Sequence, residues 1–101
     1  MAFVRAISIS EVPPGVVREV RIADKTIALA NIEGSFYAIS NTCLHRGGPL
    51  GQGPLNGATL TCPWHGWGYN MMTGKVNHNQ AVGVACYPVE VRDQDIYINA
   101  D

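Results

Sequence analysis

The sequence predicts an all-β fold with a loop-built insert, and three observations carry that prediction. Runs rich in β-branched and aromatic residues recur along the chain and match the composition of strands. Eleven glycines and six prolines in 101 residues exceed the roughly 12% combined share of average chains, which calls for many turns. No window of helical length carries apolar residues at i, i+3, i+4 and i+7 between proper caps.

The elements follow in order. Phe3 to Ile7 is a short strand-like run, ended by Pro13-Pro14-Gly15, a strong turn signal. Val16 to Ile22 alternates, with Val20 and Ile22 on one face and Glu19 and Arg21 on the other, as a half-buried strand does. Ala23-Asp24-Lys25 is a turn, Thr26 to Ile32 returns, Glu33-Gly34-Ser35 turns again, and Phe36 to Ile39 follows. Together these make a meander of hairpins. At the far end Val82 to Val91 pairs with Ile96 to Ile98 across Asp93-Gln94-Asp95. Residues 41 to 80 differ, because they hold eight of the eleven glycines and three prolines. Glycine-rich loops let backbone approach a bound group closely. The expectation is one domain over residues 1–101, with a binding insert at about 41–80.

Composition excludes several functions. Apolar residues make up 47% of the chain, enough for a core at this length. Seven Lys and Arg against eight Asp and Glu leave a net charge of −1, so there is no basic field for nucleic acid or anionic lipid. The N-terminus lacks a basic stretch followed by an apolar one, which argues against a signal peptide. No apolar run is long enough for a membrane span, and no Walker loop, GxGxxG pattern or internal repeat is present. Three cysteines are too few, and odd in number, for a secreted disulfide framework. The expected setting is the cytoplasm, where cysteines serve metals or redox chemistry.

Two short motifs lie in the insert: Cys43-Leu44-His45 and Cys62-Pro63-Trp64-His65, sixteen residues apart. Each offers one thiolate and one imidazole from a tight loop, so four ligands can converge on one metal centre. Zinc accepts the same donors, although structural zinc loops usually pair cysteine with cysteine. A thiol redox loop at Cys62 is weaker, because His65 stands where a resolving cysteine would be.

The paired C-x-H and C-x2-H motifs resemble those of the Rieske [2Fe-2S] family. The likeness continues through Gly66-Trp67 to Thr73-Gly74, and through Tyr87-Pro88-Val89 to Ile96-Tyr97-Ile98. It implies stacked antiparallel sheets carrying the cluster-binding insert. It also implies one [2Fe-2S] cluster, with Cys43 and Cys62 on one iron and His45 and His65 on the other, outer iron. With two thiolates the oxidised centre is neutral, whereas four would leave it dianionic. An electron therefore enters more easily than in an all-cysteine ferredoxin.

High-potential members of the family carry an extra cysteine in each loop, joined as a disulfide, and a serine that donates to a cluster sulfur. Here Gly48, Trp64 and Trp67 stand at those positions, and Tyr69 stands at that of a tyrosine. Fewer donors to sulfur predict a potential near the low end of the range, on the order of −150 mV rather than +300 mV.

Arg46 follows ligand His45 and serves either as a tuning or docking charge or as a solvated rim residue. Trp64 and Trp67 shield the centre or pack the loops, which amounts to the same act. His78 stands where many relatives have a proline-containing covering loop, and it is expected as a polar surface residue because the four-ligand set is complete. Cys86, in the alternation Val82, Val84, Cys86, is expected as a small buried hydrophobe.

A Rieske oxygenase needs a second iron held by two histidines and a carboxylate. His78 alone cannot build that site, and neither a small-molecule substrate pocket nor a nucleotide site is suggested. The resemblance therefore implies a soluble ferredoxin without catalysis of its own. It would shuttle electrons from a flavin-dependent NAD(P)H reductase to a Rieske oxygenase, which docks at the His45/His65 tip. The apolar and glycine-rich Leu44, Gly47, Gly48, Pro49, Leu50, Trp64 and Trp67 would offer the contact. A small subunit of an assimilatory nitrite reductase is the alternative home.

Overall fold

The computed structural model describes residues 3–44, 47–64 and 66–100. Its first four strands are β1 (Val4–Ser8), β2 (Val17–Ile22), β3 (Lys25–Ile32) and β4 (Ser35–Ser40). β2, β3 and β4 form the expected meander, with Val20 opposite Ile27 and Leu29 opposite Ala38. Tight turns join them, and each places a residue at positive φ. Glu33 and Gly34, at 54° and 94°, supply the two positive values that a type I′ hairpin turn needs.

Five short strands follow within the insert: β5 (Leu55–Asn56), β6 (Thr59–Thr61), β7 (Gly68–Asn70), β8 (Lys75–Val76) and β9 (Asn79–Gly83). They form an antiparallel sheet of their own in the order β5-β6-β7-β8-β9. The glycine-rich middle is thus strand-supported, where the sequence suggested mainly loops. Strands of two to five residues are too brief for alternation to register, and each buries at most one side chain, Leu60, Tyr69 or Val76.

The chain ends in β10 (Cys86–Tyr87), β11 (Val89–Arg92) and β12 (Asp95–Ile98). The run Val82 to Val91, expected as one strand, is divided among three. Val82 belongs to β9 in the insert's sheet, β10 pairs with β4, and β11 pairs with β12. Pro88 separates β10 from β11, as a residue without a backbone donor does. The division overturns the expectation for Cys86, which is exposed rather than buried. Its thiol points at the carbonyl of Met72.

The sheet β10-β4-β3-β2 lies between the other two. Along β3 successive side chains enter different cores. Ile27 and Leu29 join Val20, Ile22, Ala38, Ile96 and Ile98 on one side. Ala28 and Ala30 face Cys43, Leu50, Leu60, Cys62, Tyr69 and Met71 on the other. The period of two explains the split, and burial on both faces explains why Ile27 to Ala30 are apolar without a break. Small alanines face the insert, which lets the layer carrying both cysteines sit close against the central sheet. The third sheet, β1-β12-β11, closes the opposite side. Among the described residues, no helix is long and apolar enough to cross a membrane.

Candidate metal centre

Two loops of the same local design carry the cysteines. In the first, the Cys43 N–H donates to the Gly48 carbonyl at 2.9 Å, and the Gly47 N–H donates back to the Cys43 carbonyl at 2.9 Å. In the second, the Cys62 N–H donates to the Trp67 carbonyl at 2.8 Å, and the Gly66 N–H donates to the Cys62 carbonyl at 3.1 Å. Each cysteine is therefore bonded to residues four and five positions later. Gly47 and Gly66 close the loops at φ of 71° and 77°, a region costly for residues with a Cβ. The shared spacing of cysteine and glycine, three residues between them, is the sequence signal of this closure.

The loops converge. Cys43 and Cys62 are each 1% exposed and share one core. Gly48, whose carbonyl holds Cys43, lies against the second loop. A Cβ added there would stand 2.7 Å from the Cys62 Sγ and 3.1 Å from the Trp64 ring. The structure thus brings together Gly48 and Trp64, the pair at which the resemblance places the extra disulfide of high-potential members. Among the described residues there is no disulfide.

Tyr69 sits beneath both loops and is fully buried. Its hydroxyl accepts the Leu44 N–H at 2.9 Å and lies 3.2 Å from the Cys43 Sγ. An amide can only donate, so the hydroxyl's own hydrogen is left for the sulfur. Burial, then the bond with Cys43, push the Tyr69 phenol well above the ordinary tyrosine range, against the opposing pull of the Leu44 amide. The phenol therefore stays protonated and remains a donor.

Asn41, which the sequence reading passed over, anchors the first loop. It is 6% exposed. Its side-chain amide donates to a Glu19 carboxylate oxygen at 2.6 Å, and its side-chain carbonyl accepts the Gly51 N–H at 2.6 Å. Its backbone donates to Thr26 and accepts from Leu50. Gln52 holds the other oxygen of Glu19. The loop is tied in this way to both β2 and β3.

His45, Arg46 and His65 lie outside the described residues. Leu44 and Trp64, their neighbours, are 51% and 56% exposed, so the loop ends present apolar surface. Leu50 and Gly48, expected there too, are buried instead. Trp67 is half-buried and meets His78 edge to face; His78 is exposed, as expected.

Two buried thiols, one facing a committed phenol donor, suit a centre that places negative charge on sulfur. The known proteins agree. The Rieske [2Fe-2S] domain family matches residues 2–88. Ferredoxin CarAc of Metapseudomonas resinovorans is 32% identical over 91 residues, covering 88% of this chain and 85% of its own. The 3-phenylpropionate/cinnamic acid dioxygenase ferredoxin subunit of Shigella boydii is 36% identical over 97 residues, covering 93% and 90%. A chain in a structure of the complex of reduced oxygenase and oxidized ferredoxin in carbazole 1,9a-dioxygenase superposes with a TM-score of 0.86 at 30% identity, covering 95% and 91%. These matches decide for iron and sulfide over zinc: the chain belongs to the Rieske [2Fe-2S] domain family, and its cofactor is one [2Fe-2S] cluster.

Proposed function

We propose that this protein is a cytoplasmic, low-potential electron carrier. It takes single electrons from a flavin-dependent NAD(P)H reductase and gives them to a Rieske non-haem iron oxygenase. The observation that carries the reading is the pair of matched loops, which bury Cys43 and Cys62 and present Leu44 and Trp64 outward. A relative whose name is that of a dioxygenase ferredoxin subunit, and a similar chain from a ferredoxin–oxygenase complex, support the choice of partner.

In this reading the whole chain is one domain. Cys43 and Cys62 ligate one iron, and His45 and His65 ligate the other. The cluster supplies a one-electron couple. The chain's own residues set its surroundings. Tyr69 donates to the Cys43 sulfur, the Gly48 and Trp67 carbonyls fix the cysteine amides, and the two loops exclude water from the thiol side. Trp67 stands where a serine donor would raise the potential, so the couple stays near the low end of the Rieske range, on the order of −150 mV. Leu44 and Trp64 flank the histidine ligands and form a small apolar contact for the partner, in keeping with the modest interfaces of transient redox complexes. The chain carries electrons and leaves substrate chemistry to the partner.

The experiment is reconstitution. Reduced holoprotein should give the electron paramagnetic resonance of a [2Fe-2S] centre with mixed nitrogen and sulfur ligands. It should also restore turnover to a reductase and an oxygenase that are inactive without it. Cys43→Ala and Cys62→Ala should each abolish cluster assembly. His65→Cys should keep a cluster at lower potential, because it adds a negative charge. A protein that reduces no oxygenase and co-purifies stoichiometrically with a sirohaem enzyme would overturn the assignment.

A further inference from the structure

The turn between β8 and β9 reaches the second cysteine loop from outside the ligand set. The Asn77 N–H donates to the Gly68 carbonyl at 2.8 Å, and its side-chain amide donates to the Thr59 hydroxyl at 3.1 Å. Gln80 stiffens the turn through the carbonyls of Val76 and Asn77. At its apex the His78 ring meets the Trp67 ring with centroids 5.0 Å apart and planes at 87°, a favoured edge-to-face geometry. Trp67 is also the residue whose carbonyl receives the Cys62 N–H. The path from His78 to Cys62 thus runs through one ring contact and one hydrogen bond.

We infer that His78 is a positioning residue. Together with Asn77 it brackets Trp67-Gly68 and holds the Cys62–Trp67 loop closed. The bracket acts on the backbone around Cys62 whether or not Cys62 is a ligand. Its effect on the cluster rests on the ligand reading given above. The contact needs a flat ring at position 78 and no proton transfer, so phenylalanine should replace histidine there. His78 is exposed, and its removal leaves both cores intact.

The test is hydrogen exchange by mass spectrometry on holoprotein, comparing wild type with His78→Ala and His78→Phe. A ring pair of this kind corresponds to about two- to twelvefold in an opening equilibrium. His78→Ala should lose protection by about that factor in the peptide carrying the Cys62 and Gly66 amides. Peptides from β2, β3 and β4 should be unchanged, and His78→Phe should restore protection. Unchanged exchange at Cys62 in His78→Ala, a loss spread evenly over the chain, or failure of His78→Phe to restore would each overturn the inference. Bleaching of the cluster by an iron chelator separates this from the ligand reading. Faster local exchange with faster bleaching supports both. Faster exchange with wild-type bleaching keeps the bracket and counts against Cys62 as a ligand.

Discussion

Replacing Tyr69 by phenylalanine removes one oxygen from a fully buried ring and leaves the packing volume nearly intact. Two bonds are lost: the one the hydroxyl makes with the Cys43 Sγ and the one it accepts from Leu44. Each has its own readout. A neutral hydrogen bond contributes about 1 kcal/mol net, and a charge-assisted one roughly twice that. With Cys43 on the cluster as proposed, reduction puts further negative charge on its sulfur, so the bond from Tyr69 is stronger in the reduced protein by about 1 kcal/mol. For a one-electron couple, a tenfold change in the equilibrium is about 59 mV and 1.4 kcal/mol, so Tyr69→Phe should lower the midpoint by about 40 mV. The Leu44 N–H also loses its partner. Solvent reaches that exposed residue, which limits the cost to about 1 kcal/mol. That corresponds to a melting temperature about 4–8 °C lower for a domain of this size. A mediated redox titration reads the first effect and a thermal melt the second, with electron paramagnetic resonance checking that the centre is unchanged. A midpoint that stays put or rises, with the resonance preserved, would show that the hydroxyl hydrogen does not serve the sulfur.

Three further perturbations test the frame around the site. Gly48→Ala drives a methyl group to within 2.7 Å of the Cys62 Sγ. Overpacking of about 1–3 kcal/mol should fall on the loop contact itself, so iron per chain should drop, and full loading would refute the close approach. Asn41→Ala strips the Gly51 amide of its acceptor and releases Glu19. Denaturant unfolding should register a loss of about 2 kcal/mol, and a loss below about 0.5 would mean that the network does not hold the loop. Ala23 sits exposed in a turn at φ 57°, where a Cβ is strained by roughly 1–2 kcal/mol. Ala23→Gly relieves that strain against an entropic cost of about 0.5–1 kcal/mol, so the melting temperature should rise slightly with no change in midpoint.

How much of this was legible follows from the distance over which each feature is decided. β2 shows its alternation because one face meets a core and the other meets water, and six residues are enough to display it. The cysteine loops show themselves because cysteine, closing glycine and backbone bonds all lie within six residues. The insert's sheet was not visible: β8 is two residues long and contributes one buried side chain, Val76. Its strands exist because neighbours complete them. Cys86 was misread for a related reason. Alternation across Val82, Val84 and Cys86 presumes one strand, while the chain changes sheets between Gly83 and Cys86. Asn41 lay beyond local reading altogether, since its partners stand 22 residues before it and 10 after it. The same holds for Tyr69, which meets Cys43 from 26 residues away. Position in the motif marked Tyr69 out, but its work depends on burial. The apolar packing that removes water from the phenol also raises the cost of ionising it. A phenol held protonated above the ordinary tyrosine range keeps donating to the Cys43 sulfur where an exposed tyrosine would begin to lose its proton.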